Sequence, residues 1–187
     1  MAAGLNPART RLDRHRLVTE HLRLAPITFA DADRLARFHA DARVMSLLRH
    51  GVLSRAQSDA AVADYAAEWQ ARGFGSWTAT ERASGKLVGL GGLRVHERHH
   101  GIALRAAFVP EAQGQGYGPE LGAAALAFAF DVVGLDRVIA ITRADNVAGR
   151  RGLEKFGMAL ERTFEGEDGK KLLLCAALNP QRLSSGG

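Results

Sequence analysis

Apolar positions change their spacing several times along the chain, and each change marks an element. Leu22, Leu24, Pro26 and Phe29 lie in a run opened by Thr19 and Glu20, which predicts a first strand leading into a helix over Ala32 to Ala40 capped by Asp31. Ser54 followed by Gln57 is a capping-box pair, after which Ala60, Ala61, Tyr65 and Trp69 recur at helical spacing until Gly73 stops the helix. The spacing then becomes that of strands, through Trp77, then Leu87, Val88, Leu90, Leu93 and Val95, then Ile102, Leu104 and Phe108. Breaks at Ser84-Gly85 and at His99 to Gly101 divide these into three antiparallel strands. Pro119 suits a first helical turn, and Leu121 to Val133 is Ala-rich and apolar almost all round, the pattern of a helix buried on a sheet. Val138 to Thr142 predicts another strand, and Asn146 and Gly157 bound another helix. Two final strands, near Met158–Glu165 and Lys171–Leu178, flank a turn at Glu167 to Gly169. The order is α+β, without an internal repeat.

Composition narrows the class. The 187 residues suit one compact domain, expected over 17–180, between a flexible basic arm at 1–16 and a flexible tail at 181–187. The arm carries Arg9, Arg11, Arg14 and Arg16 where an export signal would need an apolar core, and the tail ends Ser184-Ser185-Gly186-Gly187. No apolar run approaches the roughly eighteen residues of a membrane span. Cys175 is the one cysteine, which excludes a disulfide framework and a cysteine metal site; a cytoplasmic location and no metal are expected. The net charge of +5, with pI near 10.0, suits phosphorylated ligands, nucleic acid or an acidic partner, and equally a solvated arginine-rich surface. Aromatic content is 6%, with no basic strand interleaved with stacking residues, so direct nucleic-acid binding is not expected.

The chemistry-bearing segment is Gln113-Gly114-Gln115-Gly116-Tyr117-Gly118, between the strand ending near Val109 and the helix near Pro119. Glycines let backbone approach a ligand closely, and a helix start offers unpaired N–H groups and a positive dipole end, so a pyrophosphate could be held by backbone alone. The same glycines also serve a plain strand-to-helix turn. Other phosphate loops fail on spacing. Pro119 stands where a dinucleotide fingerprint needs Gly or Ala, Gly89 and Gly91 fail likewise at Arg94, and no Gly-Lys-Ser or Gly-Lys-Thr occurs.

The remaining pattern, Gln-x-x-Gly-x-Gly, resembles the GCN5-related N-acetyltransferase (GNAT) superfamily, in particular its branch of ribosomal-protein N-terminal acetyltransferases. Thr19 to Leu24 resembles that branch's first strand, Gly73 to Thr80 with Gly85 to Gly89 its central hairpin, and Pro110 to Leu121 its coenzyme loop. Asp145 to Ala148 through Leu153 to Met158 resembles its second cofactor segment, so ordered matches run from about Thr19 to Leu178. The resemblance implies a mixed, mostly antiparallel sheet of about seven strands, splayed between the fourth and fifth, with about four helices. It also implies acetyl-CoA as co-substrate. The pantetheine arm would pair with backbone at Phe108 and Val109, the pyrophosphate would sit on Gln113, Gly114, Gln115, Gly116, Tyr117 and Gly118, and Asn146 and Arg151 would assist.

Direct attack of an amine on a thioester needs a neutral nucleophile, a polarised carbonyl and protonation of the departing thiolate. A backbone N–H near Phe108 or Val109 could polarise the carbonyl. Asn146, by resemblance, orients the cofactor arm or a water, and by its residue type is also a helix cap. Two positions depart from the family. Gly149 stands where many relatives carry a serine that reaches the sulfur, leaving Tyr117 or, preferably, water as proton donor. Ile102 and Ala103 stand where relatives often place a glutamate base. His96, Glu97, His99 and His100 are candidate substitutes, although polar residues at a hairpin tip also sit simply in solvent. A weak base suffices for an α-amino group, with its pKa of about 8, better than for lysine.

An acetyl-CoA-dependent N-acetyltransferase acting on a protein N-terminal amine is therefore expected, as a monomer or homodimer. A small amine acceptor such as a polyamine or antibiotic is the alternative, as is a catalytically weak acyl-CoA-binding regulatory module. Acceptor selection is expected from Asp41 to Val52 and Phe164 to Lys170, where Glu165, Glu167 and Asp168 could attract a cation or simply be solvated.

Overall fold

The computed structural model describes residues 14–45 and 51–183; the arm residues Arg9 and Arg11, positions 46–50 of the acceptor segment and the tail from Ser184 lie outside them. Eight strands form one mixed, mostly antiparallel sheet in the order β1-β2-β3-β4-β5-β6-β8-β7: β1 (Leu17–Val18), β2 (Leu22–Pro26), β3 (Ser76–Glu81), β4 (Leu87–His96), β5 (Gly101–Phe108), β6 (Arg137–Arg143), β7 (Ala159–Glu165) and β8 (Lys171–Leu178). The strand beyond the expected seven is the two-residue β1, which pairs with β2 across the Thr19 turn; Leu17 faces Leu24. The helices are α1 (Ala32–Ala40), α2 (Ala42–Met45), α3 (Arg55–Arg72), α4 (Tyr117–Ala127), α5 (Val147–Lys155) and the single turn α6 (Pro180–Leu183) within the expected tail.

Two compact units share the chain. The first holds the described residues through Gly91 together with Ala107–Gln115, and the second holds Gly92–Ala106 and the described residues from Gly116 onward. In the first, α1 and α3 close over the core residues Ile27, Leu35, Phe38, Val44, Met45, Val62, Leu90 and Ala107. The start of α3 follows from a side-chain cap. Ser54 Oγ accepts from Gln57 N at 3.3 Å while Gln57 Oε1 accepts from Ser54 N at 2.8 Å, and Gly73 ends α3 at φ 71°. Asp31 works differently from its expected role. Its carboxylate accepts from Thr28 N at 3.0 Å, three residues earlier, so a 3-10 turn over Phe29–Asp31 precedes α1.

In the second unit, β5 and β6 run parallel with Ala103 opposite Ile139, and β6 and β7 each pair antiparallel with β8. A parallel pair needs a crossover connection, and α4 supplies it. Ala103, Ile139 and Leu174 form a core from β5, β6 and β8. Helix α4 packs on α5 through Gly122, where a Cβ would stand 2.4 Å from Phe156 Cε1. The helical run expected over Leu121 to Val133 divides: α4 ends at Ala127 and the chain continues as a π-helix over Phe128–Val133.

Candidate active site

The residues singled out from the sequence fall in both units. In the first, the end of β5 meets β4 closely: a Cβ on Gly89 would stand 2.5 Å from Phe108 Cδ1 and 2.6 Å from the Ala107 carbonyl oxygen. Only glycine fits. Val109 N donates to Val88 O at 2.9 Å and Val109 O accepts from Ala112 N at 2.9 Å, so its N–H is used within the sheet while its carbonyl keeps a second lone pair. Gln113 Nε2 donates to Phe108 O at 3.3 Å, bracing the strand end against the loop. Glu111, in the turn Pro110–Ala112, accepts from Arg43 Nη1 at 2.7 Å, and Arg43 also grips Asp41 at 2.7 Å. That ties α2, part of the expected acceptor segment, to the turn feeding the loop.

Gly114 has φ +78° and Gly116 φ +83°, values that side chains rarely adopt, and a Cβ at either would meet nothing within 4 Å. Gln113 and Gln115 are exposed. Gly116 caps α4, whose first two residues are Tyr117 and Gly118, so the helix starts two residues before Pro119 and the loop is shorter than expected. Glu120 N donates to Gly116 O at 3.1 Å, and Pro119 has no N–H to satisfy. Tyr117 is 8% exposed.

Further along the second unit, Asn146 caps α5. Its Oδ1 accepts from Gly149 N at 2.9 Å, and its Nδ2 donates to Thr142 Oγ1 at 3.2 Å. The cap reading of Asn146 therefore holds. Gly149 has a structural reason: a Cβ there would stand 2.4 Å from Asn146 Nδ2. Arg150 Nη1 reaches Ala144 O at 3.3 Å, and Arg151 is exposed on the same helix.

The hairpin between β4 and β5 is less exposed than its polarity suggests. The His96 and His99 rings lie 4.7 Å apart, His99 packs edge-on to Phe164 at 5.0 Å, and both histidines are half-buried. Arg162 Nη2 approaches His99 Nδ1 at 2.8 Å; a guanidinium only donates, so Nδ1 is the acceptor of a neutral ring. Burial, then Arg162 and Arg98, push the His99 pKa down; burial, then Arg105, His99 and Arg98, do the same for His96. His96 Nδ1 is buried without a hydrogen-bond partner among the described residues. Glu97 and His100 are exposed, and Ile102 and Ala103 present no carboxylate. Among the described residues, no three His, Cys, Asp or Glu side chains are grouped to hold a metal, and no helix is long and apolar enough to cross a membrane.

Two of the three acidic residues of the final hairpin are paired, while Glu165 is exposed. Arg98 Nη2 pairs with Glu167 and Lys170 Nζ lies 3.6 Å from Asp168. The pattern missed Thr142, which stands four residues before the cap. It also missed Arg162, whose spacing of two from Phe164, the first residue of the expected acceptor stretch, was the available signal that the two share a face of β7.

The family described as the acetyltransferase (GNAT) domain matches residues 21–159. Solved structures share the fold. An acetyltransferase of the GNAT family from Bacillus anthracis is 22% identical with TM-score 0.75, covering 88% of this chain and 98% of that one. A ribosomal-protein alanine acetyltransferase from Vibrio fischeri is 15% identical with TM-score 0.73, covering 88% and 97%. A spermidine N-acetyltransferase chimera from Vibrio cholerae and hSSAT is 16% identical with TM-score 0.67, covering 88% and 99%.

Proposed function

Since the chain belongs to the GNAT acetyltransferase family and is an N-acetyltransferase, we propose that it moves the acetyl group of acetyl-CoA directly onto a protein N-terminal amine. The family uses acetyl-CoA, and the observation that carries its placement is the loop. Two left-handed glycines with open Cβ positions lead into the start of α4, which suits close approach of a pyrophosphate. Gln113, Gly114, Gln115, Gly116, Tyr117 and Gly118 would cradle it, with Arg151 available to the phosphates. Backbone at the end of β5, near Phe108 and Val109, would receive the arm and polarise the carbonyl, as the family resemblance implies.

The choice of amine rests on base strength and charge. Lowered pKa values leave His96 and His99 unprotonated at neutral pH but weakly basic. Such a base, directly or through water, matches an α-amino group at about 8 better than a lysine at about 10.4. Exposed Glu97 would serve best by attracting the ammonium form. A polyamine calls for several uncompensated acidic residues, and of the hairpin's three, Glu167 and Asp168 are already paired, leaving Glu165. A relative that acetylates a ribosomal-protein alanine is consistent with the same acceptor class. The test is release of coenzyme A from acetyl-CoA with three acceptors: peptides with free N-termini, the same peptides N-terminally blocked but containing lysine, and spermidine. Turnover confined to free N-termini is expected. Preference for spermidine or lysine would overturn the acceptor, and binding of acetyl-CoA without turnover on any amine would favour a regulatory module.

A further inference from the structure

The amide of Asn146 is fixed at both ends. Gly149 N–H donates to Oδ1, which turns Nδ2 toward Thr142 Oγ1. The amide nitrogen has only protons to offer, so Thr142 Oγ1 is the acceptor and its own proton is directed elsewhere. Among the described residues nothing accepts that proton. Thr142 is half-buried at the penultimate position of β6, just before the cap of α5. Its Oγ1 lies 3.0 Å from where a Cβ on Gly149 would stand. The chain thus lacks a hydroxyl at 149 and has one on the neighbouring strand, beside that position.

Resting on the proposed acetyl-CoA site, in which the resemblance puts Asn146 beside the cofactor arm and position 149 toward the sulfur, we propose that Thr142 is a catalytic residue whose hydroxyl hydrogen-bonds the departing sulfur. As the amine nitrogen bonds to the carbonyl carbon, the C–S bond breaks and its electron pair stays on sulfur. The proton lost by the amine passes to water or to a neutral imidazole, and Thr142 keeps its own. The products are the amide, the thiolate and that proton. A hydrogen bond to a full negative charge is stronger than one to the neutral thioester, so the contact favours the separated charge. Asn146 acts as a positioning residue: by donating to the hydroxyl oxygen it leaves the hydroxyl proton for another acceptor. Gly149 leaves the room in which the amide sits.

Thr142→Val keeps the shape and removes the hydroxyl; Thr142→Ser restores it. Two readouts apply to each: the pH midpoint at which bound coenzyme A shows thiolate ultraviolet absorbance, and kcat and KM for acetyl-CoA. For Thr142→Val the midpoint should rise by about one pH unit, with kcat about tenfold lower and KM within about twofold. Thr142→Ser should recover both. Unchanged midpoint and kcat in a Thr142→Val protein that still binds coenzyme A would overturn the role of Thr142 alone. Failure of the wild-type protein to bind coenzyme A would overturn it together with the functional reading.

Discussion

The buried pair between α1 and α3 makes stability depend on pH through one named side chain. His39 is 2% exposed, Ser58 0%, and His39 Nδ1 lies 2.9 Å from Ser58 Oγ, with Phe38 and Tyr65 rings beside it. Burial holds the His39 pKa below its ordinary 6.5. The unfolded chain therefore takes up a proton near pH 6.5 that the folded chain refuses. Stability is full above 6.5 and falls as pH drops below it, until the folded imidazole itself titrates. One such site removes about 1.4 kcal/mol per pH unit within that window. His96 and His99 shift in the same direction, so the wild-type slope alone does not isolate His39. His39→Asn keeps a polar group near the Nδ1 position and cannot titrate. Urea unfolding of both proteins at pH 7.5 and 5.5, at constant ionic strength, should show the wild-type advantage shrinking at the lower pH, by at most about 1.4 kcal/mol. Parallel losses in the two proteins would refute the reasoning.

Other consequences follow from packing. Ser54→Ala removes the acceptor that holds Gln57 N and should cost about 1 kcal/mol, lowering the thermal midpoint by about 2–4 °C. Gly122→Ala gains about 1 kcal/mol of helix propensity but drives a methyl into the Phe156 ring, an overpacking cost of about 1–3 kcal/mol. Net destabilisation on urea unfolding is expected, relieved by adding Phe156→Leu. Gly89→Ala meets backbone, the Ala107 carbonyl, as well as the Phe108 ring, so β5 must shift; acetyl-CoA KM should rise by more than about tenfold.

Local rules made much of the fold legible. Ser54 with Gln57, Gly73, Asn146 and Gly157 each act within a few residues, and the elements they bound lie where spacing put them. Less legible was whatever depended on a distant partner. Gly149 read as a missing hydroxyl until Asn146 was seen to fill its space, and Val109 read as an open strand end until Val88 took its N–H. The histidine hairpin read as solvated because Arg162 and Phe164, which cover it, come some sixty residues later. The strand-to-helix loop was found by its glycines, but its start as a helix at Tyr117, ahead of Pro119, depends on the left-handed turn at Gly116.

The central claim is that this loop holds the pyrophosphate of acetyl-CoA. Its direct test is calorimetric titration of wild-type protein and Gly116→Val with coenzyme A and with pantetheine, which lacks the pyrophosphate. Valine is strained at φ +83° and crowds the open approach. Coenzyme A binding should weaken at least tenfold in the variant, about 1.4 kcal/mol, while pantetheine binds both proteins alike. Equal affinity of the two proteins for coenzyme A would contradict it.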